Sequence, residues 1–181
     1  MKRLLAIAIA TAISASSFAQ DADKDFCNNL KAMLGGAQTY FKDQKGASTS
    51  IEIRGVPKPY FESKVRLDKD KVMYIGDNEY HPEAFTYVAE HTRGGEATPP
   101  EMQKVYDEYK KMVEDCLPSG FMMEEKDKSN DLYLEDTNFK KLVVREDKKG
   151  KKVKMELYIY NQRELDHWVV EFHFYGIGKN I

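Results

Sequence analysis

Two stretches of this chain repeat their apolar residues every three or four positions, the spacing that lines one face of a helix. In the first, Phe26, Leu30, Met33, Leu34, Ala37, Tyr40 and Phe41 predict a helix from about Asp25 to Lys45, with Gly46 as its stop. Gly35-Gly36 interrupts that pattern. Each glycine weakens a helix by about 1 kcal/mol relative to alanine, so a kink or split is expected there, or close packing on a sheet. In the second stretch, Thr98-Pro99-Pro100-Glu101 offers a capping threonine, a proline at the first helical position and a glutamate at the third. Met102, Val105, Tyr106, Tyr109, Met112, Val113 and Cys116 follow on one face, before Pro118 and Gly120 end the segment.

Elsewhere the period is two, as half-buried strands require. Ile51 and Ile53 alternate with Glu52 and Arg54. Phe61, Ser63, Val65 and Leu67 alternate with charged residues, and Phe85, Tyr87 and Ala89 with Thr86 and Val88. Gly76-Asp77-Asn78 and Thr92-Arg93-Gly94-Gly95 mark turns. After the second helix come Phe121 to Glu125, Leu132 to Leu134, Lys141 to Arg145, Val153 to Tyr160 and His167 to Tyr175. The polar stretch Glu124 to Asp131 reads as a loop, and Lys148-Lys149-Gly150-Lys151-Lys152 as a solvated hairpin turn rather than a polyanion patch. Short turns between successive strands argue for antiparallel pairing, and two amphipathic helices need an apolar sheet face. The expected fold is therefore α+β, two helices on an antiparallel meander sheet. The order of elements suggests two helix-plus-meander pseudo-repeats, about 25–95 and 98–178.

The N-terminus changes the setting. Lys2 and Arg3, the apolar run Leu4 to Ile13 and the small-x-small triplet Ser17-Phe18-Ala19 make the pattern of a secretory signal peptide over 1–19, cleaved near Ala19. An apolar run of about ten residues is half the length of a membrane-spanning helix, and no cysteine follows the cleavage point to carry lipid. One domain over 20–181, secreted or periplasmic and without a transmembrane segment, is the expectation. The net charge of −2 provides no field to attract phosphate backbones, so nucleic acid is not an expected partner. Cys27 and Cys116, the two cysteines, fall in the first turn of the first helix and the last turn of the second. If the helices lie antiparallel on one sheet, these turns meet, and in an oxidising compartment a disulfide is expected.

Candidate chemistry concentrates in the C-terminal hairpin, by parity. Val153, Met155, Leu157 and Ile159 share the core with Trp168, Val170, Phe172 and Phe174, because a slip of one residue would turn the whole apolar set into water. The other face carries Lys154, Glu156, Tyr158 and Tyr160 beside His167, Val169, Glu171, His173 and Tyr175. Pairing about Asn161 to Asp166 sets Glu156 opposite Glu171, Tyr160 opposite His167 and Lys154 opposite His173. Three readings follow: an ordinary solvated face; a binding surface made by Tyr158, Tyr160, His173 and Tyr175; or a metal site made by Glu156, Glu171 and His173. His167 and His173 stand about 20 Å apart along one strand and cannot share an ion. His81 and His91 read as isolated surface histidines.

No catalytic set is legible: there is no G-x-S-x-G elbow and no H-E-x-x-H helix. The expectation is a non-enzymatic binding or interaction module of the cell envelope, without a cofactor, monomeric or weakly dimeric, meeting an envelope protein or small ligand. The alternative is an exported metal-dependent hydrolase using Glu156, Glu171 and His173.

Overall fold

The computed structural model describes residues 24–53, 55–77, 81–92, 97–127, 139–146, 152–162 and 167–180. The expected signal peptide, the Leu132 to Leu134 strand and most of the lysine tract at 148–151 lie outside them. Helix α1 (24–36) and a 3-10 turn (Ala37–Thr39) lead into β1 (Lys45–Ile53), β2 (Val56–Ser63), β3 (Tyr74–Gly76) and β4 (Glu83–Thr92). Helix α2 (Pro100–Cys116) leads into β5 (Phe121–Asp127), β6 (Lys140–Glu146), β7 (Lys152–Gln162) and β8 (His167–Asn180). All eight strands form one antiparallel sheet in the order β1-β2-β3-β4-β8-β7-β6-β5. The α+β expectation holds at this level.

Both helices lie on one face, over the central strands β4, β8 and β7. Phe26, Leu30, Met33 and Leu34 of α1 and Met102, Tyr106 and Val113 of α2 are buried against the row Trp168, Val170, Phe172 and Phe174. Phe26, Tyr109 and Phe172 form a three-ring cluster that ties both helices to β8. Cys27 and Cys116 are joined in a disulfide, with their Cα atoms 4.8 Å apart. The bond closes an 89-residue separation and staples the start of α1 to the end of α2.

Helix boundaries differ from the sequence expectation at both helices. Regular α1 stops at Gly36, and β1 already begins at Lys45. The chain reverses through Tyr40 and Phe41, both with left-handed backbone at φ 55° and 56°. Phe41 donates its N–H to Gly36 O, which closes the helix end. Phe41 still fills the core, so its apolar spacing is real although it follows a turn rather than a helix, whereas Tyr40 is exposed. At α2 the N-cap is Pro99, one residue later than expected, and no side chain caps it. β5 takes up the first part of the expected Glu124 loop.

Strand β4 corrects a second reading. Phe85 and Tyr87 do not face the helices; Ala84, Thr86 and Val88 do, and Thr86 Oγ1 donates to Val72 O at 2.9 Å. A register irregularity between Tyr87 and Ala89 inverts the parity there. A strict period of two therefore cannot hold from Phe85 to Ala89.

Candidate functional site

The sheet face turned away from the helices carries the candidate residues, and its geometry follows from register. In β7 and β8, Glu156 pairs with His173, Tyr158 with Glu171, Tyr160 with Val169 and Gln162 with His167. The expected register is thus corrected by two residues. A slip of two keeps every side chain on its own face, so alternation alone cannot detect it. The observed register also avoids setting two carboxylates directly opposite each other, which is destabilising. Lys154 is not opposite His173. It sits beside a register irregularity between Val153 and Met155, buried, with Nζ 3.3 Å from Glu146 Oε1.

Pairing through β4 and β6 extends these pairs into rows. One row runs Tyr74, Phe85, His173, Glu156 and Val143 across five strands. The next runs Tyr87, Glu171, Tyr158 and Lys141. At the centre His173 lies between two carboxylates, with Nδ1 2.5 Å from Glu83 Oε1 and Nε2 2.8 Å from Glu171 Oε1. Burial by itself would lower the imidazolium pKa. The hydrogen bonds and charges of Glu171 and Glu83 outweigh it and hold His173 up at about 9. At neutral pH the ring is a cation that donates through both nitrogens.

Glu156 forms the second node. Its Oε2 accepts the hydroxyls of Tyr158 and, at 2.6 Å, Tyr175; those hydroxyls lie 3.0 Å apart, and Lys141 Nζ is 3.4 Å from Oε1. Burial first, then the Glu156 charge, raises the pKa of Tyr158 and Tyr175 above the usual phenol value. Burial and then Glu171 do the same for Tyr160, and push Tyr87 up to about 12. These phenols stay protonated; Tyr158 and Tyr175 donate to Glu156 and Tyr160 to Glu171. Glu156 is 3% exposed and Glu171 6%. Val143 and Val169 on the same face are buried as well. An ordinary solvated face, one of the three sequence readings, does not describe this part of the sheet.

Around the polar nodes the rings form a continuous array. Tyr60 and Tyr74 contact Phe85, which stacks on His173 at 5.8 Å; Tyr158 meets His173 edge-on at 5.2 Å; and Phe139 stacks on Tyr158 at 5.4 Å while meeting Tyr160 edge-on. Tyr87 adds to Phe85 and remains 40% exposed. At the β2–β3–β4 end, Tyr60, Phe85, Glu83, Asp77 and His81 border an open groove of about 420 Å³.

Of the sequence candidates, Tyr158, His173 and Tyr175 are thus brought into contact, and Tyr160 joins them through Phe139. Glu171 touches His173, whereas Glu156 is engaged by the two tyrosines and Lys141. No group of three or more His, Cys, Asp or Glu side chains poised for a metal ion occurs among the described residues. His91 lies apart on the helix side, 3.4 Å from Glu101. Glu83, Phe85, Tyr87 and Phe139 also belong to this face, and no sequence pattern singles them out for it. Alternation marks Phe85 and Tyr87 as the apolar set of their strand without saying which face they take, and Glu83 reaches His173 only through the β4–β8 pairing.

We find no family model, no curated protein and no solved structure that matches this chain.

Proposed function

We propose that the protein is an exported, non-enzymatic binding module of the cell envelope, which holds a protein or small apolar ligand on the aromatic face of its sheet. The observation that carries this reading is the ring array from Tyr60 through Phe85, His173 and Tyr158 to Phe139. A single-domain protein needs one apolar sheet face to seat its helices. This chain builds aromatic residues into the second face too, and anchors them on buried acids. Tyrosine suits binding surfaces because it offers large rigid area and a polar tip at low entropic cost.

The signal-peptide pattern and the disulfide support an oxidising, exported setting. The strand order, with a helix preceding each run of four strands and β4 meeting β8 at the centre, supports reading 25–95 and 98–178 as two related halves.

The test uses the mature, oxidised protein to recover its partner from an extract of its own cell envelope, beside the Tyr60→Ala plus Tyr87→Ala variant. Tyr87 is 40% exposed and Tyr60 partly exposed, and neither belongs to the buried core, so the variant should fold. A species retained by the parent and lost from the folded variant supports the reading. Identical retention by both, or nothing retained by either, refutes this face as the binding surface.

A further inference from the structure

The first hairpin extends well past the strand beside it. β3 covers only Tyr60 to Glu62 of β2, so Val56 to Pro59 and the β1 residues opposite them pair only with each other. Such a two-stranded arm is marginally stable in water by itself. Its tip carries two of the most exposed large apolar residues described, Ile53 at 36% and Val56 at 55%.

The two edges of this arm are chemically unequal, and proline makes them so. Pro57 and Pro59 pair with Glu52 and Ser50. A proline has no N–H, so these are non-hydrogen-bonded pairs, whose backbone groups point away from the partner strand. On the β2 side, the outward positions at Pro57 and Pro59 therefore lack donors, and strand addition there is blocked. On the β1 side the outward residues are Ser48, Ser50 and Glu52. All three are exposed, all keep their N–H groups, and no strand lies beyond β1 among the described residues.

We propose that β1 is a self-association edge, pairing antiparallel with β1 of a second copy about a two-fold axis at Ser50. Centred there, Ser50 meets the partner's Ser50 and Ser48 meets the partner's Glu52, which uses every outward position for about six backbone hydrogen bonds. Centring on Glu52 would oppose two carboxylates, and centring on Ser48 would leave Glu52 outside the arm's core pairing. On the aromatic side of the sheet, Thr49 then faces the partner's Ile51, and Ala47 faces the partner's Ile53, which covers the exposed tip. The only charge within this paired segment is Glu52, and it stands opposite a serine.

Sedimentation equilibrium of the mature, oxidised protein from about 10 µM to about 1 mM should show reversible monomer–dimer exchange. Ser50→Pro removes an N–H that the β1–β2 ladder does not use. It should weaken dimerisation at least tenfold with an unchanged thermal midpoint and circular dichroism spectrum. Ser50→Lys sets two like charges face to face across the axis. It should weaken the dimer at low salt and recover in part at high salt, a response that only self-pairing produces. A parent that stays monomeric over the whole range overturns the proposal. So does a folded Ser50→Pro protein that dimerises as tightly as the parent, or a Ser50→Lys protein without salt dependence.

Discussion

His173 makes a quantitative demand on stability. Its neighbours are Glu83 from β4, Glu171 from its own strand, and Glu156, Tyr158 and Tyr175 at the adjoining node. In the folded protein its pKa stands at about 9, against an ordinary value of 6.5. Because the folded value is the higher one, protonation favours the folded state. The stabilisation is complete below pH 6.5 and is lost as pH rises through about 9. The gap corresponds to about 3 kcal/mol, and the side chain is buried enough for most of it to survive screening. Tyrosine ionisation also destabilises the protein at high pH, so the parent alone does not isolate the effect. His173→Gln does: the same tyrosines remain, while the titrating ring is gone and Glu171 loses its cation at every pH. Urea unfolding of both proteins, oxidised, at pH 6, 8 and 10 should show a wide stability difference at pH 6 that narrows by about 3 kcal/mol by pH 10. Parallel pH profiles for parent and variant would refute the carboxylate–imidazolium–carboxylate arrangement.

Three other perturbations test the frame that holds this site. Replacing Cys27 and Cys116 by serine releases a closure that chain entropy values at about 4 to 5 kcal/mol, and should lower the thermal midpoint by about 10 to 15 °C; intact mass of the oxidised parent should sit two hydrogen atoms below the reduced form. Gly176→Ala would place a Cβ 2.1 Å from Pro82 Cγ, next to the hydrogen bond from Gly176 N to Pro82 O. The proline ring cannot swing aside, so a loss of about 1 to 3 kcal/mol is expected in chemical unfolding. Tyr40→Gly relieves left-handed strain at an exposed position and should be neutral or stabilising by up to about 1 kcal/mol, whereas Tyr40→Val should destabilise.

What the sequence reveals about this fold depends on how many solutions a pattern permits. The helix stripes and the β7–β8 parity each have one burial-compatible answer, and Leu30, Val113, Leu157 and Phe172 stand where periodicity puts them. Register has several, because a shift of two residues costs no burial; Glu156 against His173 emerges only from the strand pairing. β3, with three residues, is too short to carry a period at all. Periodicity overextends the first helix because Tyr40 and Phe41 continue its spacing while their backbone has already turned. Phe85 and Tyr87 show a different limit. When both faces of a strand hold large apolar groups, hydrophobicity stops distinguishing inside from outside, and a polar Thr86 with a backbone acceptor can take the core side.

That ambiguity is itself informative about what the outer face is for. Burying Glu156 and Glu171 costs desolvation energy, and a face needed only for stability would be better served by apolar residues of similar size. Here each acid is satisfied by groups that hold an aromatic ring in place: Glu156 by the hydroxyls of Tyr158 and Tyr175, Glu171 by His173, on which Phe85 stacks and against which Tyr158 stands. The acids therefore act as fixed posts for rings drawn from β4, β7 and β8. Removing a post should disturb ring orientation before it disturbs the core, since the helix-side residues alternate with the network along the same strands and so lie on the opposite face of the sheet. Glu156→Gln keeps the shape and one acceptor oxygen but discharges the carboxylate that receives both phenols and Lys141. Its expected signature is a change in near-ultraviolet circular dichroism in the tyrosine region, with the far-ultraviolet spectrum and the disulfide intact. An unchanged tyrosine signal in a folded Glu156→Gln protein would mean that the rings are positioned by packing alone, and the acids would then have no place in the proposed binding surface.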